Sequence, residues 1–276
     1  MKILETHTRH ILAFGLLILT WVMIGVFLIY TNAYQSIYDR SLSLTNSAEE
    51  QHQQIQLLQK KCGTFYCYTG DEFINLYETF ITSRNQHAHQ NTSITGNLFV
   101  DEYLRNIAEE RGYIKRMSVD PSLLVEYNNL LILPEVRNAY LNLRNKASEE
   151  GISIHLVSAF RTFEDQRKLF ISQLSVADIE LIPTGIYDDE INRVLSVTAL
   201  PGYSKHHEGH TLDFACGDDY LVFEFKDTDC YTWMSQNNYE VIKRFGFIPS
   251  YPQDVEKQGP SPEAWEYVYI DREMMR

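Results

Sequence analysis

Residues Pro134–Gln166 read PEVRNAYLNLRNKASEEGISIHLVSAFRTFEDQ, and three local patterns follow one another along them. Val136, Ala139, Tyr140, Leu143 and Ala147 recur at helical spacing, and Gly151 stands where a helix C-cap belongs. Ile152 to Ser158 then alternates as a strand, with Ile152, Ile154 and Leu156 on one face. His155 falls on the other face with Val157, the place of an ordinary strand histidine rather than a ligand. Thr162 is an N-cap candidate with Asp165 three residues on, so TFEDQRKLFISQL predicts a second helix. Far downstream, Trp265 to Ile270 (WEYVYI) is aromatic and β-branched, which predicts another strand. Helices and strands mix here without a repeating strand–helix rhythm. The expected class is α+β, a small antiparallel sheet with flanking helices.

The region before Pro134 has a different character. Ile11 to Tyr30 (ILAFGLLILTWVMIGVFLIY) carries no charge. As a helix, twenty such residues reach about 30 Å, the thickness of a bilayer's hydrocarbon core. The apolar region of a cleaved signal is shorter, about 7–15 residues, so the reading is one uncleaved transmembrane helix. Lys2, Arg9 and the terminal amine precede it, which leaves the amino terminus in the cytoplasm and exports the rest. Export suits the cysteines, which form two local pairs, Cys62 with Cys67 and Cys216 with Cys230. The expected organisation is a cytoplasmic tip and membrane anchor over 1–30, a polar stalk over 31–61, a mostly helical accessory segment over 62–130 and a main folded domain over 131–276. His87 and His89 lie in a polar stretch and read as solvated. A formal net charge of -13 repels phosphate backbones, so nucleic acid is not an expected partner.

Three separated segments carry the chemistry. Ser158-Ala159-Phe160-Arg161, continuing to Gln166, sets an arginine at a strand exit, where its planar fork can grip a carboxylate. Ser204-Lys205-His206-His207-Glu208-Gly209-His210-Thr211-Leu212-Asp213 gathers imidazoles and carboxylates around a glycine that lets the chain turn, a pattern suited to a metal ion. Glu263-Ala264-Trp265-Glu266 puts a carboxylate beside an aromatic strand, where a partly dry setting would raise its pKa toward that of a general base.

Taken in order, Ser-x-x-Arg-x-x-x-x-Gln, Ser-x-His-x-x-Gly-x-x-x-Asp and Glu-x-Trp resemble the VanY-like D-alanyl-D-alanine carboxypeptidases, zinc peptidases of peptidoglycan. The resemblance runs from Pro134 to Tyr269 and takes in Trp233, Asn237 and Phe245-Gly246-Phe247. It implies the compact α+β fold of D-Ala-D-Ala carboxypeptidase and hedgehog-like domains, with a zinc held by His, Asp and a second His. His206 and Asp213 match the first two ligands and Glu263 the base. Arg161 would grip the substrate's terminal carboxylate or an adjacent carbonyl, with Ser158, Gln166 and Ser204 as its companions in substrate binding. The third ligand departs from the pattern: the family has His directly after the tryptophan, and this chain has Glu266. Val268 stands where an Arg is common, Ala264 for a Pro and Thr211 for an Ala. Glu266 is therefore the expected third ligand, with His210 as the alternative and zinc or another divalent ion as the cofactor. The implied function is removal of a terminal D-amino acid from a peptidoglycan peptide. The rival is a catalytically impaired domain of the same fold that binds wall peptide or a partner.

Overall fold

The structure is a computed structural model that describes residues 31, 34–38, 40, 61–84, 92–217 and 222–276. The chain divides into two units, Met1–Gln59 and Lys60–Arg276. In the first, residues 34–38 are helical and exposed. The expected membrane helix over 11–30, most of the stalk, and His87 and His89 lie outside the described residues. Among those described, no helix is long and apolar enough to cross a membrane.

The second unit is built on a four-stranded antiparallel sheet in the order β5-β6-β8-β7: β5 Ile154–Ser158, β6 Thr211–Cys216, β7 Phe247–Tyr251 and β8 Glu263–Tyr269. Two small hairpins precede it, β1 Lys61–Cys62 with β2 Phe65–Tyr66, and β3 Val125–Tyr127 with β4 Leu130–Ile132. The helices are α1 Gly70–Thr82, α2 Leu98–Glu110, α3 Pro134–Glu149, α4 Phe163–Gln173, α5 Asp188–Leu195 and α6 Asp229–Lys243. This is the α+β class expected, although the accessory segment contributes hairpins as well as helices.

Alternation along the central strands decides what packs where. Phe214 of β6 and Tyr267 of β8 stack at 5.5 Å, and Tyr140 of α3 stacks on Phe214 at 5.8 Å. Trp233 and Met234 of α6 join the same core. Neighbouring Ile248 and Val268 instead pack with Phe73, Tyr77 and Phe80 of α1. A third cluster joins α2, α4 and α5 through Leu104, Phe170 and Ile191.

Two boundaries differ from the sequence expectation. Ile152 is not in β5, because its amide closes α3 by donating to Ala147 O while Gly151 takes φ +77°. At the other edge β8 begins at Glu263, two residues before the aromatic run, so the expected base lies on the strand itself. His155 is exposed, its Nε2 3.0 Å from Ser153 Oγ. Thr162 caps α4 as expected, accepting from the amide of Asp165.

Both cysteine pairs are disulfides, Cys62–Cys67 and Cys216–Cys230. The second ties the end of β6 to the start of α6 across a sequence separation of 14. Chain entropy assigns about 3 kcal/mol to a loop of this size and about 2 kcal/mol to the shorter one. The double substitution Cys216→Ser, Cys230→Ser is expected to lower unfolding free energy by about 2–3 kcal/mol in denaturant titrations, more than Cys62→Ser, Cys67→Ser. Equal stability of all three proteins would contradict this.

Candidate metal centre

Ser204 caps a single 3-10 turn, Lys205–Glu208, with its Oγ accepting from the amide of His206. Gly209 ends the turn at φ +75°, a backbone region that L side chains rarely enter. A Cβ there would also stand 2.9 Å from Val119 Cγ1. The chain then enters β6, and register sets Asp213 directly opposite Glu266 of β8. Like charges facing each other across strands repel, so a buried pair of carboxylates needs a cation between them.

His206 completes the group. Its Nδ1 lies 2.6 Å from Ala159 O, and a carbonyl only accepts, so Nδ1 carries the proton. The Nε2 lone pair is then directed at Asp213 Oδ2 and Glu266 Oε2, both at 3.3 Å. One ligand atom from each of the three residues lies within 4.8 Å of the others, and all three residues are buried. Asp213 Oδ1 is buried without a hydrogen-bond partner among the described residues. An imidazole nitrogen and two carboxylate oxygens converging in this way fit a divalent metal ion. Without one, a proton on His206 is the cation that lies between the two carboxylates, with the Arg161 guanidinium beside Asp213. Burial is the largest influence and opposes charge on that ring, but Asp213 and Glu266 together push the pKa up to about 9. Burial likewise works against Glu266, while His206 and Ser250 pull its carboxyl down to about 2.

Glu263 faces the same cleft, which encloses about 170 Å³. Strict alternation would put Glu263 and Glu266 on opposite faces of β8. The ladder slips between them: Pro249 pairs with Tyr267 and Tyr251 with Glu263, so Ala264 to Glu266 oppose Ser250 alone. Both carboxylates line one cleft across this irregular stretch. Burial, followed by the negative charge of Glu266 and Asp213, holds the Glu263 carboxyl well above the usual range.

Arg161 lines the cleft as well. Its guanidinium donates from Nη1 to Gln166 Oε1 at 2.8 Å and from Nη2 to Ser158 Oγ at 3.0 Å, and Nη2 is 3.7 Å from Asp213 Oδ2. Gln166 in turn donates to Ala199 O. The expected companions Ser158, Gln166 and Ser204 are thus engaged with the protein itself, the first two orienting Arg161 and the third shaping the turn. The side chain of Arg161 keeps 22 % exposure, which leaves it open to a ligand.

The other two histidines do not join the metal group. His207 lies 2.7 Å through Nδ1 from Arg161 O and accepts from the Gly202 amide at Nε2. Burial drives its pKa down to about 3, so it is a neutral pin between the first two motifs. His210, the alternative ligand, packs between Phe80 and Tyr269 with Nδ1 on Glu208 O. Gly209 turns the chain between the two histidines, and the Tyr269 amide holds His210 by its carbonyl. The residues that sequence reasoning missed are Ser250 and Lys205. Ser250 Oγ donates to Glu266 Oε1 at 2.5 Å, and the buried ammonium of Lys205 donates to Ser250 O while lying 4.0 Å from the Tyr251 ring centroid. Nothing in the sequence marks Ser250, whereas Lys205 adjoins His206 within the motif.

Among the solved structures that resemble the chain are three of this fold. VanYB in complex with D-alanine-D-alanine is 25% identical, over 54% of this chain and 78% of that one, at a TM-score of 0.44. A variant of the vancomycin-resistance D,D-pentapeptidase VanY from a VanB-type cassette, in complex with Zn(II), is 24% identical over 58% and 88%, at 0.45. The LD-carboxypeptidase LdcB is 22% identical over 58% and 76%, also at 0.45. No curated protein matches the sequence. The family description VanY, D-alanyl-D-alanine carboxypeptidase, matches residues 129–272, just over half of the 276 residues and every residue of the metal group. The chain belongs to the VanY family of D-alanyl-D-alanine carboxypeptidases.

Proposed function

We propose that this protein is a metal-dependent peptidase that removes the terminal D-amino acid from peptidoglycan stem peptides. The observation that carries this reading is the convergence of His206, Asp213 and Glu266 in one cleft with Glu263 and Arg161. The three clustered residues hold the ion, which is zinc or another divalent metal. A divalent ion held there supplies Lewis acidity toward the scissile carbonyl and lowers the pKa of water. Glu263 takes the proton from the attacking water. It then passes that proton to the leaving amine, so one group serves as base and then acid. Arg161, oriented by Ser158 and Gln166, pairs with the terminal carboxylate of the peptide and sets which bond meets Glu263. D,D-carboxypeptidase activity fits the family description, and one of the similar structures is an LD-carboxypeptidase. We read Ile11 to Tyr30 as a single membrane span that carries the second unit outside the cytoplasm, a setting consistent with two disulfides.

Glu266 favours a second reading, a domain that binds the peptide with impaired turnover. Two carboxylates bring the charge of a divalent site to about zero, against about +1 with a single one. Such a site acidifies water less and leans toward harder ions such as manganese.

Substitutions distinguish the two. Glu263→Gln is expected to lower turnover by about 10²–10⁴-fold with metal content unchanged. Arg161→Lys is expected to raise KM for a D-Ala-D-Ala peptide while metal stays bound, because Lys lacks the planar fork. Glu266→His is expected to tighten zinc binding and raise turnover, as read by zinc titration and mass analysis of digested muropeptides. Wild-type protein that binds peptide without metal or turnover, and is not rescued by Glu266→His, would establish the binding domain instead.

The same cluster predicts a pH dependence for chelated protein. The pKa of His206 rises from 6.5 to about 9 on folding, so its stabilising share is complete below about pH 6.5 and lost as pH climbs toward 9. The raised Glu263 carboxyl acts in the same sense, beginning above its ordinary 4.5. Glu266 is depressed to about 2, so its share is present above 4.5 and lost only in strong acid. Denaturant melts are expected to show an alkaline decline that His206→Gln flattens. A flat profile in both proteins would contradict the protonated imidazole.

A further inference from the structure

The turn that carries His206 is gripped from behind by residues that precede the family match over 129–272. Glu208, two residues beyond His206, is only 3 % exposed. Tyr77 of α1, wholly buried, donates its hydroxyl to Glu208 Oε2 at 2.6 Å. Arg116 Nη1 lies 3.7 Å from the same oxygen, and its guanidinium binds Glu78 through two bonds of 2.8 and 2.7 Å. Backbone bonds reinforce the grip: the Arg116 amide donates to Gly202 O at 2.7 Å and the Val119 amide to His207 O at 3.0 Å. Lys205, on the same turn, lies 5.2 Å from the Tyr77 ring centroid.

We infer that Tyr77, Arg116 and Glu208 are positioning residues for the metal centre, which makes the segment before the family domain a working part of the site. This rests on the metal reading above. His206 and Glu208 share one 3-10 turn whose own backbone bonds are few, His207 N to Ser204 O and Gly209 N to His206 O. Such a turn rotates easily unless its side chains are held. Rotation would carry His206 Nε2 away from Asp213 and Glu266, which ride on the rigid sheet. Groups that orient a metal ligand from outside the coordination sphere are worth about 10–100-fold in metal affinity. Removing Arg116 alone leaves the buried Glu208 carboxylate without the guanidinium beside it. Removing the charge of Glu208 together with Arg116 relieves that conflict while keeping an acceptor for Tyr77.

Zinc titration of the full-length chain in detergent tests this, with Tyr77→Phe, Arg116→Met and the double variant Arg116→Met, Glu208→Gln. Both single variants are expected to bind zinc more weakly, Arg116→Met by about tenfold or more. The double variant is expected to recover most of the loss. Single variants that lose thermal stability but bind zinc as tightly as wild type, at a temperature where all are folded, would overturn the proposal. Failure of the double variant to recover would overturn it too. If the wild type binds no metal, the reading of the site has failed, and amide exchange over residues 205–209 judges the clamp alone. Faster exchange there in Arg116→Met than in wild type supports it, and unchanged exchange refutes it.

Discussion

Asp213 and Glu266 sit directly opposite each other on neighbouring strands, both buried, with a single imidazole nitrogen 3.3 Å from each. Two carboxylates in that relation are repulsive, and burial weakens the screening that would make the repulsion tolerable. A cation between them relieves it. Much of the surrounding structure serves to keep this arrangement from relaxing. Ser250 Oγ donates to Glu266, and the ammonium of Lys205 holds the carbonyl of Ser250. Arg161 adds its charge beside Asp213. Each is a donor or a cation placed beside negative charge, so the site's basic residues are explained by its acidic ones.

The second constraint ties the motifs to one another. His206 and His207, adjacent in the chain, stand through Nδ1 on Ala159 O and Arg161 O, two carbonyls of the first motif. One histidine thereby has its outer nitrogen freed for a ligand. The other is fully engaged, since its Nε2 accepts the Gly202 amide. Their different fates follow from the partner available to Nε2. His210 shows a third outcome, a buried ring whose Nε2 has no hydrogen-bond partner among the described residues.

How much of this was legible beforehand depends on the range of the interaction. Thr162 capping α4, Gly151 ending α3 and the buried stripe of Val136, Tyr140, Leu143 and Ala147 are local, and their sequence patterns announced them. The site residues were legible as ordered motifs, and the structure gathers His206, Asp213, Glu263, Glu266 and Arg161 in one cleft. Spacing alone left Glu266 and His210 as rival third ligands, because the direction of a side chain after a left-handed glycine depends on what the chain packs against. Ser250 was invisible, since its role follows from the register of β7 on β8. Tyr77 and Arg116 were invisible for the same reason. They lie 131 residues (Tyr77) and 92 residues (208 − 116) before Glu208, and no local pattern marks such a pair.

The slipped ladder in β8 bears on how this site can change over time. Glu263 and Glu266 line one cleft across an irregular stretch in which Ala264 to Glu266 stand opposite Ser250 alone. The spacing between the two acids is a property of chain length, held at both ends by regular pairing. A point substitution at 266 alters the charge of the site and leaves that spacing intact. The loss or gain of one residue between 263 and 266 would instead change the register of one acid against β7. A change of residue at 266 therefore acts on the charge of the site, and a change of length acts on its geometry.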